Sequence, residues 1–427
     1  MIGVFTTSWA LFLGLFLLMI GNGMQGTLLG IRGAIEGFSA VEMSYIMSGY
    51  FLGFLGGARL APHMIRRVGH IRVFAALASF ISAILILYPT FTEVWAWGLL
   101  RVMFGFCFSG LYVVAESWLN NSATNETRGQ SLSIYSIVIM AGVVASQYLV
   151  TVGDPSGFVL FILPSVLVSI AVAPVLLSVT PTPAFETTKP MGVIEAFRFS
   201  PLSAVGAFCI GGVFAAQFGM TAVYGTEAGL STSEIAIFVA AFYVGGLVFQ
   251  GPVGRVSDRV DRRFLIMLLS LGAGAAAIGA VVFAGYFPAL VAMCFLIGGL
   301  SNPLYPLIIA SMNDYLPVED MAAGSGALIF LNGLGAVTGP VFAGYMMTVF
   351  GPPMFWIFIA ALMLALGLYA VWRSSRRPVD TTADDNVTYA PISPVATAVA
   401  IEAAQEMYVE NVETAEESAA EAEVSSG

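Results

Sequence analysis

Charge is what this chain has least of. Only 10% of its 427 residues are Asp, Glu, Lys or Arg, against 58% apolar residues. A soluble domain carries roughly 25% charged residues. A chain this poor in them has no water-compatible coat, so most of its surface must face lipid. Histidine is almost missing: His63 and His70 sit in one short stretch, which excludes a histidine relay through a membrane. Cys107, Cys209 and Cys294 all fall inside apolar segments. An odd number of such thiols is no disulfide framework, and no CxxC or His/Cys cluster offers a metal site. There is no phosphate-cradling glycine loop, no Ser/Lys pair and no paired Asp at membrane depth, so ATP-driven pumping and intramembrane catalysis find no support. We expect no enzyme, cofactor, metal or nucleic-acid partner.

Basic residues are absent from one whole region. All 16 Lys and Arg precede Val379, and the stretch behind it holds acids only, so the net charge of −10 belongs to a tail and not to the membrane body. That tail, 374–427, is rich in Ala, Glu, Thr and Ser and contains Pro378, Pro391 and Pro394. It reads as disordered and cytoplasmic, with at most transient helix after Ala396, and the plainer expectation is a solvated tail without a regulatory role. The N-terminus has no basic leader and its first apolar stretch is too long for a signal peptide, so it reads as an uncleaved first span.

What is present is a series of apolar runs of about 20 residues, the length needed to cross a bilayer as helix. Twelve can be marked, near 5–31, 42–62, 73–92, 94–118, 130–152, 157–179, 201–225, 234–253, 264–286, 288–312, 325–350 and 353–372. The connection 181–200 holds Pro181, Pro183 and Pro190 and reads as a cytoplasmic linker between a six-span half 1–180 and a six-span half 201–373. The fold class is all-α integral membrane, in two pseudo-symmetric six-helix bundles.

The halves repeat. A shift of 192 residues brings Gly37-Phe-Ser39-Ala-Val-Glu42 onto Gly229-Leu-Ser231-Thr-Ser-Glu234, Gly53 onto Gly245 and Gln25 onto Gln217. The same shift aligns Pro62-His-Met-Ile-Arg66-Arg67-Val-Gly69 with Gly254-Arg-Val-Ser-Asp258-Arg259-Val-Asp261, which continues into Arg262-Arg263. One offset that matches a turn, a helix and a loop marks an internal duplication. Ser39-x-x-Glu42 and Ser231-x-x-Glu234 have the spacing of capping boxes, so we read the paired glutamates as two helix starts rather than as functional carboxylates.

Orientation follows from the arginines. The loops after spans 2, 4, 6 and 8 and the C-terminal flank carry Arg59, Arg66, Arg67, Arg72, Arg128, Lys189, Arg198, Arg255, Arg259, Arg262, Arg263, Arg373, Arg376 and Arg377, whereas the other side has Arg32. This asymmetry predicts that both termini are cytoplasmic.

Away from span ends, two charges remain, Arg101 and Glu116, both in span 4. Fifteen residues apart, they are separated by roughly 22 Å along a helix and cannot pair. Arg101 can serve as a fixed positive charge for an anionic or polar substrate or as a proton gate; equally, it can snorkel outward or pair with Glu93. Glu116 lies near the cytoplasmic end, where an ion cluster with Arg66, Arg67 or Arg128 is expected ahead of proton carriage. Asp258 is placed to accept from Arg259 or Arg262, and together with Arg263 these form an expected gate or latch at that face. The buried polar residues Gln25, Gln217, Asn22, Gln147, Asn302, Tyr305 and Asn332 either line a cavity or bond across helices. The match of Gln25 with Gln217 favours a shared site on the pseudo-twofold axis. Pro303 and Pro306 should loosen span 10, and Gly335, Gly339, Pro340 and Gly344 give span 11 a close-packing face and a point to kink.

Gly254-x-x-x-Asp258-Arg259-x-x-Arg262-Arg263 resembles the signature loop of the major facilitator superfamily, and Arg101-Val-Met-Phe104-Gly105 is similar to its span-4 motif, with Phe104 where Gln is usual. Within that superfamily, Leu28-Leu-Gly-Ile-Arg32, Val114-Ala-Glu116-Ser117, Thr127-Arg128-Gly129 and Leu304-Tyr305-Pro306 with Asn313-Asp314 resemble the YcaD-like bacterial group. The resemblance covers residues 1 to about 375 and implies twelve spans, a bacterial inner membrane and a cavity lined by spans 1, 4, 7 and 10. The chain departs from the pattern at Pro62, Arg66 and Asp261. It also lacks an acid in span 1 and the Gly-Pro motif in span 5, which disfavours drug–proton antiport by the usual carboxylates. The expected function is a monomeric secondary transporter of a small organic solute, export favoured, coupled to a proton or another ion or to none. The alternative is a transporter-like sensor or scaffold that signals through its tail.

Overall fold

Each backbone N–H and C=O placed in hydrocarbon must find a partner within the chain, and a helix supplies one locally at every residue. The computed structural model describes residues 2–122, 125–177, 191–374, 397–401 and 404–405, and no strand occurs among them. Spans 1 to 6 are Ile2–Ile35, Ala40–Val68, His70–Leu87, Val94–Ser122, Asn125–Val150 and Val159–Leu177. Span 7 starts as Pro201–Ala215, passes a π-helical turn at Ala216–Met220, and ends as Thr221–Glu227. Spans 8 and 9 are Thr232–Ser257 and Arg262–Val282, and spans 11 and 12 are Val318–Phe350 and Met354–Ser374. Span 10 is split into Phe287–Ser301 and Leu304–Asn313, and the break falls at Asn302–Pro303, where the proline removes a backbone donor from the ladder. Span 11 continues as helix through Pro340.

Among the described residues, eleven of the twelve spans are long and apolar enough to cross a membrane. Span 2 falls short because Gly49, Gly53, Gly56, Gly57 and Arg59 dilute it. It lies between spans 4 and 11, where fewer of its side chains need to suit lipid. Large apolar side chains elsewhere point outward, among them Phe80, Ile162, Leu268 and Phe342, and these form the lipid-facing belt.

The duplication is visible in the backbone. Gly37 and Gly229 both take left-handed conformations, with φ of 82° and 76°. Ser39 and Ser231 follow as N-caps; their N–H groups donate to Glu42 at 2.9 Å and to Glu234 at 2.8 Å. The glutamates complete capping boxes, as their spacing predicts. The packing repeats too. A Cβ on Gly53 would lie 1.9 Å from the Val102 carbonyl oxygen, and one on Gly245 2.0 Å from that of Phe295. In return, a Cβ on Gly105 would lie 1.9 Å from the Tyr50 oxygen, and one on Gly298 2.0 Å from that of Phe242. Spans 2 and 4, and spans 8 and 10, thus cross backbone to backbone, the geometry that small residues permit in membranes. The register that pairs Gly105 with Gly298 also pairs Arg101 with Cys294. The buried cation therefore has no twin.

The bundle has a basic end, where the loops after spans 2 and 8 lie, and a far end. The halves touch closely toward the far end. A Cβ on Gly30 would meet Ala222 at 2.6 Å, one on Gly219 would meet Met47 at 2.9 Å, and one on Gly344 would meet the Ala40 oxygen at 2.7 Å. At the far end Arg32 pairs with Glu36 and donates to the Pro155 carbonyl at 3.2 Å, which ties span 1 to the loop after span 5. In that loop the Ser156 hydroxyl and N–H bond the Asp154 carboxylate and hold it below the usual carboxylate range, and Arg32 adds to the effect.

Of the expected linker 181–200, residues 181–190 lie outside the described residues. The remainder forms a short helix, Val193–Phe199, anchored where the Met191 N–H meets the Ala323 carbonyl at 3.1 Å. The tail departs from expectation. Most of 374–427, including Arg376 and Arg377, is outside the described residues, but Thr397, Val399, Ala400, Ile401, Ala404 and Gln405 are buried in the bundle. An apolar strip set among glutamates is invisible in the average composition of the tail. It nonetheless has enough surface to bury.

The crossings make a signed prediction. Gly53→Ala and Gly298→Ala should each destabilise the protein by about 1–3 kcal/mol through overpacking. Gly98→Ala, where a Cβ would meet nothing within 4 Å, should be neutral or stabilising. Thermal unfolding of the purified protein in detergent measures all three.

Candidate substrate site

Arg101 is completely buried. Its guanidinium carbon lies 4.9 Å from the centre of the Tyr50 ring, 5.8 Å from that of Phe104 and 5.7 Å from that of Phe218. A Cβ on Gly26 would be 3.9 Å from its Nη2. Spans 1, 2, 4 and 7 thus converge on one cation, and Phe218 comes from the opposite half. No hydrogen-bond acceptor among the described residues reaches Nε, Nη1 or Nη2. Full burial rules out snorkelling, and no ion pair joins Arg101 to the exposed Glu93. The ring faces supply part of the missing solvation, since an aromatic face attracts a cation. They do not supply a counter-charge, and a buried charge without one is held at a cost of several kcal/mol.

Other polar groups make no well-formed hydrogen bond within the protein: both amide atoms of Gln25 and Asn22 Oδ1 in span 1, the Ser48 hydroxyl in span 2, and the hydroxyl of Tyr88, the C-cap of span 3, which lies beside Gln25. Asn22 Nδ2 makes one long contact, 3.5 Å, to the Tyr50 hydroxyl. Beneath Arg101 lies an aromatic layer. Tyr50, Phe51, Phe214 and Phe218 stand 5.3–6.4 Å apart ring to ring across the two halves, and Phe54 joins Tyr50 at 6.0 Å and Tyr112 at 5.9 Å. Below the layer is a cavity of about 30 Å³ lined by Phe51, Phe54, Phe214, Tyr305, Asn332 and Thr397 among others. That volume holds on the order of two waters.

The structure sorts the remaining predicted residues. Gln25 stays in the site, but Gln217 turns to Ser301 in its own half, Nε2 to Oγ 3.0 Å, so the two glutamines do not make one symmetric pair of contacts. Gln147 accepts from the Thr27 hydroxyl at 2.8 Å and donates to Ser146 at 2.9 Å; it joins spans 1 and 5 and is engaged in that contact. Asn302 bonds the Gly298 carbonyl at 2.9 Å, one turn back in its own helix. Tyr305 lines the cavity.

At the basic end the expected pairings change. Glu116 is held by Tyr135, whose hydroxyl donates at 2.7 Å, and by Thr397, whose N–H donates at 3.1 Å and whose hydroxyl donates as well. These donors stand where Arg66, Arg67 or Arg128 was expected. Arg66 and Arg67 are exposed, and Arg128 is half-buried. The acid that Arg262 binds is Asp314, at the end of span 10, and not Asp258. Arg263 donates to the Tyr315 hydroxyl and lies 5.3 Å from its ring centre, while its N–H donates to the N-cap Asp261 at 2.8 Å. Asp258 closes span 8 as its C-cap beside an exposed Arg259. The aromatic layer was missed in the sequence. Its signal was available in Tyr50, Phe51 and Phe54 and in Phe214 and Phe218, which fall on single helix faces.

The family model described as Major Facilitator Superfamily matches residues 11–236 and 203–404. The chain is 27% identical over 375 residues to the MFS-type transporter YfkF of Bacillus subtilis, covering 84% of this chain and 93% of that protein. It is 26% identical to the MFS-type transporter YcaD of Escherichia fergusonii, covering 82% and 91%. In fold it is similar to the nucleoside transporter NupG in its D323A form, with a TM-score of 0.72 at 13% identity, covering 86% of this chain and 99% of that one. It is also similar to a bacterial homologue of the human lysosomal transporter Spinster, with a TM-score of 0.64 at 16% identity, covering 94% and 97%. With two six-helix halves repeating one packing scheme around a central axis, the chain belongs to the Major Facilitator Superfamily.

Proposed function

We propose that this membrane transporter moves a small organic solute bearing an anionic group across the bacterial cytoplasmic membrane by alternating access, with Arg101 receiving the anion. The observation that carries this reading is the isolation of Arg101: a fully buried cation with no acceptor among the described residues, on the seam between the halves. An arriving carboxylate, phosphate or sulfonate would supply the missing counter-charge. Gln25 and Tyr88 would offer it further hydrogen bonds, and Phe218 would let the second half register its presence. Midplane sites between repeats are the rule for transporters built this way. The basic end is taken as cytoplasmic, with both termini there, because its loops concentrate the arginines. Loading from that end is the first step of export.

In liposomes, Arg101→Ala should lower the flux of anionic solutes at least about tenfold, the value of one charge-assisted hydrogen bond. Neutral solutes should be little affected and insertion should remain normal. Arg101→Lys should retain part of the flux. Unchanged anion flux in Arg101→Ala would remove Arg101 from the site.

The latch of the second half has its own test. Arg262 is buried against Asp314, so Asp314→Asn should destabilise the protein by about 3 kcal/mol by leaving an uncompensated buried charge. The double variant Arg262→Met/Asp314→Leu should recover most of that loss in thermal unfolding.

A second reading, a sensor signalling through its tail, draws on the burial of Thr397–Gln405. Flux that survives or rises on truncation after Arg377 identifies a transporter. Solute binding without flux, with or without the tail, identifies a sensor.

A further inference from the structure

The described tail residues, 397–401 and 404–405, join both halves. The Thr397 N–H and hydroxyl bond Glu116 in span 4. The Gln405 Nε2 donates to Ser325 Oγ at 2.7 Å and to the Met321 carbonyl at 3.0 Å in span 11, and meets Asn313 Oδ1 in span 10 at 3.4 Å. Between these ties Val399, Ala400, Ile401 and Ala404 are buried, so the segment is held by apolar surface as well as by polar ends. Thr397 also forms part of the wall of the central cavity. Sites for organic ligands occupy about 300–1,000 Å³, far above what the segment leaves open here. Toward the far end the halves already meet, at Gly30 against Ala222 and Gly344 against Ala40.

We propose that Thr397–Gln405 is an autoinhibitory plug: it fills the basic-end entrance of the central cavity, clamps the two halves in the far-end-closed arrangement, and must withdraw before a solute can enter. The tether suits such a cycle. Twenty-two residues separate Ser374 from Thr397, a chain length of up to roughly 3.5 Å per residue. Rebinding is intramolecular, so a weak contact suffices to keep the plug seated. Glu116 thereby takes a role that its position alone does not suggest, as the receptor in the first half for the chain's own tail.

The test needs no substrate and no flux, so it stands or falls independently of the anion reading. Ala336, in the cavity wall, is replaced by cysteine in the purified detergent-solubilised protein, and labelling by a polar maleimide is timed. The parent chain, with Cys107, Cys209 and Cys294 buried, gives the background. Labelling of a covered site scales with the population of the open form, so truncation after Arg377 should raise the rate at least about tenfold. Full-length Thr397→Val/Gln405→Ala should fall between the two. A synthetic peptide of residues 394–408 added to the truncated protein should slow labelling again. Equal rates in full-length and truncated protein overturn the plug. If the truncated chain does not fold, an unchanged rate in the full-length double variant overturns it equally.

Discussion

A single buried cation, Arg101, with no counter-ion among the described residues constrains the centre of this molecule. Burying a guanidinium is tolerable only when something compensates its charge, and here the compensation is the faces of Tyr50, Phe104 and Phe218. Two of these rings come from the first half and one from the second, so the environment of the charge depends on the halves staying together at that level. An anion bound to Arg101 would compete with the rings for the cation. Binding of such an anion and the fit of the two halves would therefore act on the same atoms.

The duplication supplies the frame for this charge and the asymmetry that gives it meaning. Spans 2 and 4 cross through glycine in the same way as spans 8 and 10, yet the position matching Arg101 holds Cys294. Only the first half carries the charge. The second half contributes a π-helical turn at Ala216–Met220, a kind of irregularity frequent at functional sites, and it places Phe218 in the seam. Below this level the aromatic layer, the small cavity and the Thr397–Gln405 segment follow one another toward the basic end. The halves meet at the far end, and the basic end is occupied by the chain itself; on the proposed alternating-access cycle this is one of its states.

Much of the fold was legible because it is written locally. Apolar runs located the spans, one offset exposed the repeat, Ser39-x-x-Glu42 and Ser231-x-x-Glu234 marked helix starts, and Pro303 marked the break in span 10. The site was legible only in part. Arg101 stands out as a charge in an apolar run, but its surroundings are set by rings from other spans, which no local spacing predicts. The partners of Glu116 and Arg262 were misjudged for the same reason: Thr397 is 281 residues from Glu116, and Asp314 is 52 from Arg262. Charge complementarity among neighbouring loops favoured arginines for Glu116 and Asp258 for Arg262, and tertiary packing overrode it. The tail misled by its average, since a few apolar residues among many glutamates were enough to dock.

If Arg101 receives an anion at the seam, an oxyanion can be seen there. A structure of the tail-truncated protein soaked with selenate, whose selenium is located by anomalous scattering, should place an oxyanion within hydrogen-bond reach of the guanidinium, ~3 Å from Nη1 or Nη2. Arg101 found paired with a protein carboxylate, or selenate bound elsewhere while Arg101 keeps its aromatic cage undisturbed, would remove Arg101 as the anion's receptor.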